Sequence, residues 1–460
     1  MVRIAIAYPP LPSEKGVPLL TQNRQFQWFS RPTYIFPVVP ATAATMLKRA
    51  GHEVLFLDGI AAELTPEAFD RRLAEFRPDY VVLETKTPVV KRHWKWIAEH
   101  DYKVILVGDH VTALPEESLA RKNVHAILCG GDWDYMLTDF LAGDCHPGVY
   151  PMVLRHDLKD SPWIDRDLVR WELYAHRNGN FKWTPGTYIM SGRDCWHGKC
   201  TFCSWTTLYP KYRTRDPLDV VDEIEMLVTK YGVREIMDDS GSFPVGEWLV
   251  TFCNEMIRRG LNRRVRLDCN MRFGRLSYED YRLMRKAGFR LVLFGVESAN
   301  QTTLDRFNKA LTVKDVEEGA AWASKAGLAV HLTFMFGHAW EGPAEIANTV
   351  KLARKLLANG HAATLQCTLT VPYPGTPLFK ELDASDGLTT RDWDEYDQHR
   401  AITKTPLATE DEIKAAVRAV YRGFLQPRAL WHLFRRNLFD ISFYYRGLRY
   451  LIGHLMDFSS

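Results

Sequence analysis

The chain has 460 residues, 46% of them hydrophobic and 25% charged, and a net charge of +3. That length suggests two or three domains with ample cores, and the charge is too small to imply a nucleic-acid partner. No apolar run reaches the roughly 18 residues of a membrane span. The opening MVRIAIAYPP is too soon broken by prolines for a secretory signal and reads as a first strand, so a cytoplasmic location is expected.

Residues 1–145 alternate short apolar strands with helical stretches. The predicted strands are Arg3–Tyr8, Glu53–Asp58, Tyr80–Glu84, Lys103–Gly108 and Ala126–Gly130. Helices are expected near Ala41–Ala50, Pro66–Phe76, Val90–Glu99 and Glu116–Ala120. This rhythm predicts an α/β fold with a doubly wound, Rossmann-like parallel sheet. Ligands on such sheets sit beyond the strand carboxyl ends. The segments there include Pro10, Asp58, Thr85, Gly108, His110 and Gly130. No GxGxxG occurs in this half, which argues against a dinucleotide site.

Residues 146–185 carry prolines at 147, 151, 162 and 185 and read as a linker. A second alternating region, 186–385, has predicted strands Thr187–Ser191, Glu235–Asp238, Arg266–Cys269, Leu291–Gly295, His331–Phe336 and Thr364–Val371. A helix is expected to begin at Asp216-Pro217. Six β/α units suggest a partial (β/α)6 barrel with its active face at the strand C-termini. Residues 386–460 read as a helical C-terminal region with a capping box at Thr409–Glu412. The stretch 428–456 has five arginines and one acid, Asp440. It also carries Trp431, Phe434, Phe439, Phe443, Tyr444, Tyr445 and Tyr450. The plain reading is a helical tail packed on the barrel. The sharper one is a lid over a hydrophobic substrate, or a membrane-surface contact.

Of the cysteines at 129, 145, 195, 200, 203, 253, 269 and 367, only three cluster: Cys195, Cys200 and Cys203 in GRDCWHGKCTFCSW. Clustered cysteines in a large enzyme-like chain favour metal binding over disulfides. The other five read as core residues. Three thiolates within nine residues hold three corners of a metal site and leave the fourth without a cysteine ligand. Structural zinc would need a fourth protein ligand such as His197, and no second CxxC exists here.

The cysteine loop resembles that of the radical S-adenosylmethionine superfamily. The family's usual spacing is CxxxCxxC; here the first gap, Trp196–Lys199, is one residue longer. The resemblance implies a [4Fe–4S] cluster on the three cysteines, with the fourth iron chelating the amino and carboxylate groups of S-adenosylmethionine. Reductive cleavage would then give a 5′-deoxyadenosyl radical. It further implies S-adenosylmethionine contacts from Phe202, from Asp238 and Asp239 in Met237–Ser240, and from Asn270 and Arg272. Glu297 and Ser298 in Gly295–Ser298, and Phe336 in Phe334–Gly337, complete that set. The segment Val371–Pro377 looks like the PYPGT segment of the branch with an N-terminal cobalamin-binding domain. Within that branch the chain is most similar to the hopanoid-biosynthesis radical enzymes.

The branch implies cobalamin over Pro10, Asp58, Thr85, Gly108, His110 and Gly130, although the chain lacks the DxHxxG motif. The implied activity is methyl transfer to an unactivated carbon. Radical rearrangement or cyclisation of a lipid-like or sugar-like substrate, and a non-catalytic cobalamin-binding protein, are the rival readings. The implied partners are a small or lipid-like substrate and an external electron donor of flavodoxin or ferredoxin type.

Overall fold

The computed structural model describes residues 1–18, 28–29, 33–154 and 156–436. Two six-stranded parallel sheets organise them. The first contains Arg3–Tyr8 (β1), Glu53–Asp58 (β2), Tyr80–Glu84 (β3), Val104–Val107 (β4), Val124–Leu128 (β5) and Gly148–Tyr150 (β6), in spatial order β2-β1-β3-β4-β5-β6. Residues of β1 alternate between two cores, as a period of two requires. Ile4, Ile6 and Tyr8 face one core with the helices Val38–Arg49 and Trp133–Ala142. Ala5 and Ala7 face the other with Phe69, Leu73 and Ile97. The sheet is therefore wound on both faces, and its central strands are largely apolar because both sides are buried.

The second sheet contains Gly186–Ile189 (β7), Glu235–Asp238 (β8), Arg266–Met271 (β9), Phe289–Glu297 (β10), Ala329–Phe336 (β11) and Thr364–Leu369 (β12). Its order runs sequentially from β7 to β12. Every adjacent pair is parallel. This is the expected partial barrel, with a continuous apolar layer between strands and outer helices. Asp216 caps the helix Pro217–Lys230 by accepting from the Leu218 and Asp219 amides, as the Asp-Pro pair predicts.

Three expectations change. The segment read as linker begins with β6, which pairs with β5. It is three residues long and flanked by Pro147 and Pro151, so it sits at the sheet edge where proline is tolerated. The helix Trp133–Ala142 escapes a periodicity search because seven of its ten residues are buried, which leaves little polar face. Residues 386–408 are not helical: they hold one short turn, Trp393–Glu395, and a bridge between Leu388 and Thr403. Helices follow at Glu410–Tyr421, with the Thr409–Glu412 capping box formed, and at Pro427–Arg436. Phe439, Asp440, Phe443, Tyr444, Tyr445 and Tyr450 lie outside the described residues. No helix among the described residues is long and apolar enough to cross a membrane.

Candidate functional site

β7 delivers the chain to a short ribbon in which Gly192–Arg193 pairs with Arg213–Thr214. The cysteine loop is the excursion between these two strands. The segment after Arg306 clamps it from above: the Thr201 amide donates to the Phe307 carbonyl at 3.0 Å, and the Phe202 and Phe307 rings stand 4.8 Å apart. From the other side the Leu378 amide donates to the Thr201 carbonyl at 2.9 Å. Phe202 is thus seated in an apolar cluster with Phe307, Val371 and Tyr373.

Burial raises the Cys203 thiol well above its ordinary pKa, and the charges of Asp194, Cys200 and Cys195 raise it further. Burial and then Asp194 raise Cys195. The charges of Cys195 and Cys200 thus both reach Cys203. Arg272 Nη1 lies 3.6 Å from Cys200 Sγ, the one cation at hydrogen-bond range of a loop thiol among the described residues. Arg272 also donates to the Lys309 carbonyl and covers Trp196. No three His, Cys, Asp or Glu side chains among the described residues converge on a common ligand point. The donor set, three loop thiols beside an arginine, has the chemistry of an iron–sulfur site, and loading it would displace the thiol protons. His197 is turned away from such a role: its Nε2 meets the Asn308 carbonyl at 2.6 Å.

The strand ends differ from expectation in instructive ways. Asp238 is buried, but it accepts from the Ser191 amide at 2.9 Å, from the Ser191 hydroxyl and from the Ser240 amide at 3.0 Å. Its carboxylate ties β8 to the start of the cysteine ribbon and needs no external ammonium. Asp239 is buried as well, so neither acid sits in a solvated turn. Asn270 Nδ2 donates to the Ser240 carbonyl at 2.9 Å and holds the same loop. Glu297, at φ +70°, pairs with buried Lys309 at 2.8 Å. Ser298 donates to buried Glu341 at 2.7 Å, within a cluster completed by Asn300 and Thr303, so its hydroxyl serves the fold. Phe336 shares the outer core with Phe334 and Leu332, at i, i−2 and i−4. Strand alternation gives the inward positions to Met335 and Thr333, so Phe336 is not an adenine-facing residue.

In the first sheet, Asp58 accepts from the Ile60 and Ala61 amides and from the Tyr174 hydroxyl at 2.6 Å. Thr85 Oγ1 meets His93 Nδ1 at 2.8 Å. Gly108, at φ +118°, lies so close to Thr85 that a Cβ would be 2.2 Å from its carbonyl oxygen. His110 is fully buried between Thr87 at 3.2 Å and Glu117 at 2.5 Å, which leaves neither ring nitrogen to ligate a metal. Gly130 turns the chain at φ +95° against Met152, and Pro10 lies beside Gly59.

The two halves meet at the cysteine ribbon, through residues that the linear pattern did not single out. Arg193 pairs with Asp132 at 3.0 Å and Asp134 at 2.5 Å, and Arg213 pairs with Asp132 at 2.7 Å. The Gly131 amide donates to the Leu208 carbonyl at 3.0 Å, and the Tyr209 hydroxyl donates back to the Gly131 carbonyl at 2.9 Å. An arginine two residues before the first cysteine, matched by two acids after a Gly-Gly turn, was the available signal. Sixty residues separate them, so pattern alone could not join them.

Residues 189–353 match the family model described as the Radical SAM superfamily. The match begins at the strand that launches the cysteine loop. That segment, from the end of β7 through β11, is similar to a radical SAM domain.

Among curated relatives, an anaerobic magnesium-protoporphyrin IX monomethyl ester cyclase of Cereibacter sphaeroides is 28% identical, across 90% of this chain and 69% of its own length. An uncharacterized methyltransferase of Pyrococcus horikoshii is 26% identical, across 90% and 93%. A hopanoid C-3 methylase of Methylococcus capsulatus is 24% identical, across 53% and 46%. The solved structure of the radical S-adenosylmethionine methyltransferase TsrM from Kitasatospora setae, with cobalamin and a [4Fe–4S] cluster bound, superposes with a TM-score of 0.66 at 17% identity. It covers 93% of this chain and 90% of that one. This likeness is one of fold, and it extends through both sheets.

Proposed function

We propose that this chain is a radical SAM enzyme, a cobalamin-dependent methyltransferase acting on an unactivated carbon. The observation that carries this reading is the pairing of a three-cysteine radical SAM loop with a Rossmann-like sheet, in a fold shared nearly end to end with a cobalamin-bound methyltransferase. When bound, the cluster with S-adenosylmethionine supplies a hydrogen-abstracting radical, and cobalamin supplies a transferable methyl group. Cys195, Cys200 and Cys203 would hold the cluster. Arg272 would offset thiolate charge at Cys200, and Trp196 beneath it would keep water from that guanidinium. Asp238, Asn270 and Ser240 fix the loop that faces them.

Toward cobalamin the first sheet offers Pro10, Thr85, Gly108 and Gly130 at its strand ends. His110 is committed within the fold, so any corrinoid here is held without that imidazole. The eight unpaired cysteines support a reducing, cytoplasmic setting. The helix Pro427–Arg436 exposes Leu430 and Trp431 beside Arg428 and Arg435, with no acid in its ten residues. Its charge and exposed apolar groups suit an anionic membrane surface, from which a lipid-like substrate would be drawn. A flavodoxin-type or ferredoxin-type protein would supply the electron.

The test is anaerobic reconstitution with cobalamin, followed by tracing of a labelled methyl group from S-adenosylmethionine into product. Label in the product carbon skeleton supports methyl transfer. The cyclase relative favours one rival, radical cyclisation. That reaction would consume S-adenosylmethionine with no label in the product.

A further inference from the structure

The spatial order of the first sheet, β2-β1-β3-β4-β5-β6, reverses between β1 and β3: the chain leaves β1 toward β2, then returns past it to β3. A doubly wound sheet opens a ligand crevice at such a point, outside the carboxyl ends of the two strands. Two segments border that crevice here. The loop after β1 carries Lys15, and the turn after β3, Thr87–Val89, leads into the helix Val90–Ala98 with Lys91. Arg92 ties the two segments together by donating to the Pro12 carbonyl at 3.0 Å.

A loop of the barrel half reaches across both. Residues 387–404 leave the barrel and return to it through a closed neck: the Thr389 amide donates to the Ile402 carbonyl at 2.9 Å, and the Lys404 amide to the Gly387 carbonyl at 2.8 Å. The neck is fixed, because the Thr403 hydroxyl donates to the Gly337 carbonyl at 2.7 Å and Ile402 is buried with Val371 and Leu378. The outer end grips the first half. Lys91 pairs with Asp392 at 2.9 Å and with Asp394 at 3.2 Å, and Lys15 pairs with Asp397. The Trp393 ring stands 5.3 Å from His110, edge to face, and its turn packs on Thr87–Val89. The seam between the halves is thus held unequally. At the β5 end the Arg193, Asp132 and Asp134 side chains are at most 4% exposed and cannot part without stranding a charge. At the β1 and β3 end Lys91 is 41% and Asp392 48% exposed. Ion pairs in water contribute little and salt screens them, so the seam opens most readily over the crevice.

We propose that residues 390–401 are a strap over the crevice between β1 and β3, which opens to admit cobalamin and closes over it. This rests on the reading that cobalamin lies over the strand ends of the first sheet. Release of the corrinoid then waits on the Lys91 and Lys15 pairs.

The experiment uses the full-length protein, reconstituted anaerobically, with hydroxocobalamin as the probe. The forms compared are wild type, Lys91→Glu, Asp392→Asn with Asp394→Asn, and Lys91→Glu with Asp392→Lys and Asp394→Lys. Amide hydrogen exchange reads the protection of residues 387–404 with and without hydroxocobalamin. Visible absorbance after rapid gel filtration reads release of the corrinoid. In wild type, hydroxocobalamin should slow exchange across 390–401. Lys91→Glu should raise exchange there and speed corrinoid release about 10-fold, and the paired Asn variant about 3-fold, the worth of two exposed ion pairs with and without added repulsion. The charge-swapped triple variant should return toward wild type, and raised salt should loosen the wild-type strap as Lys91→Glu does. Exchange across 390–401 that ignores hydroxocobalamin overturns the inference. So does a strap whose exchange rises in neither variant, or a release rate that stays at the wild-type value in both while the strap exchanges faster. Wild type that folds yet retains no hydroxocobalamin refutes the cobalamin reading itself, and the inference falls with it.

Discussion

Cys200 is the most buried of the three loop cysteines and the one an arginine approaches. Replacing it with alanine removes a ligand that no neighbouring His, Asp or Glu can supply. Cys200→Ala should lose most of its iron and abolish S-adenosylmethionine cleavage, read by iron assay and by formation of 5′-deoxyadenosine. The cysteines were legible in the sequence because ligands that must share one small loop are also close in the chain. Asp238 was legible as an acid at a strand end, yet its role was not: its partner Ser191 comes 47 residues earlier, and only folding joins them.

His93 gives a pH prediction. Burial lowers its pKa from 6.5 to about 4, so the folded protein keeps it neutral while the unfolded chain protonates below about 6.5. The unfolded state then binds more protons, and stability falls as pH drops through that window. The contribution is complete above pH 6.5 and is lost by about pH 4, on the order of 3 kcal/mol in all. Urea unfolding at pH 7 and pH 5 should show a smaller difference in His93→Gln than in wild type.

At the scale of elements, the strands were readable because parallel strands buried on both faces appear as short continuous apolar runs. Strands such as β4 (VILV) follow that rule, β8 (EIMD) and β9 (RLDCNM) were read from the alternating rhythm around them, and β6 was missed because an edge strand of three residues carries too little pattern. The turn after β5 shows what one atom would cost. A Cβ on Gly131 would lie 2.1 Å from the Tyr209 ring, itself held by a hydrogen bond to that turn. Gly131→Ala must push the ring away and should destabilise the protein by about 1–3 kcal/mol. The readout is the thermal midpoint, with Gly148→Ala as a comparison where nothing stands within 4 Å but φ is +150°. The helix Pro427–Arg436 has its own test. The full-length protein should co-sediment with vesicles containing phosphatidylserine more than with pure phosphatidylcholine, and Trp431→Ala with Arg435→Glu should remove the difference.

At the scale of the whole molecule, Arg193 belongs to the barrel while Asp132 and Asp134 belong to the first sheet, and all three are buried. Arg193→Met leaves Asp134 in the interior without its partner, a loss of about 3–5 kcal/mol. Unfolding in urea measures it, and Arg193→Met with Asp134→Leu should recover much of the difference, since an apolar pair can replace a buried ionic one. Such interfaces are where single-sequence reasoning stops: each partner looks like an ordinary charged residue until the chain is folded.

The Arg193 clamp also limits how the protein can be taken apart. A barrel cut free at residue 186 would keep all three cysteines yet carry Arg193 and Arg213 without the acids that neutralise them, and Tyr209 without the turn it grips. The metal-binding loop would then be the least ordered part of the fragment. Each half produced alone is therefore expected to be less stable than the same half in the full chain, a difference that urea unfolding of the fragments would read. The Rossmann-like half thus supports the ribbon from which the three cysteines project.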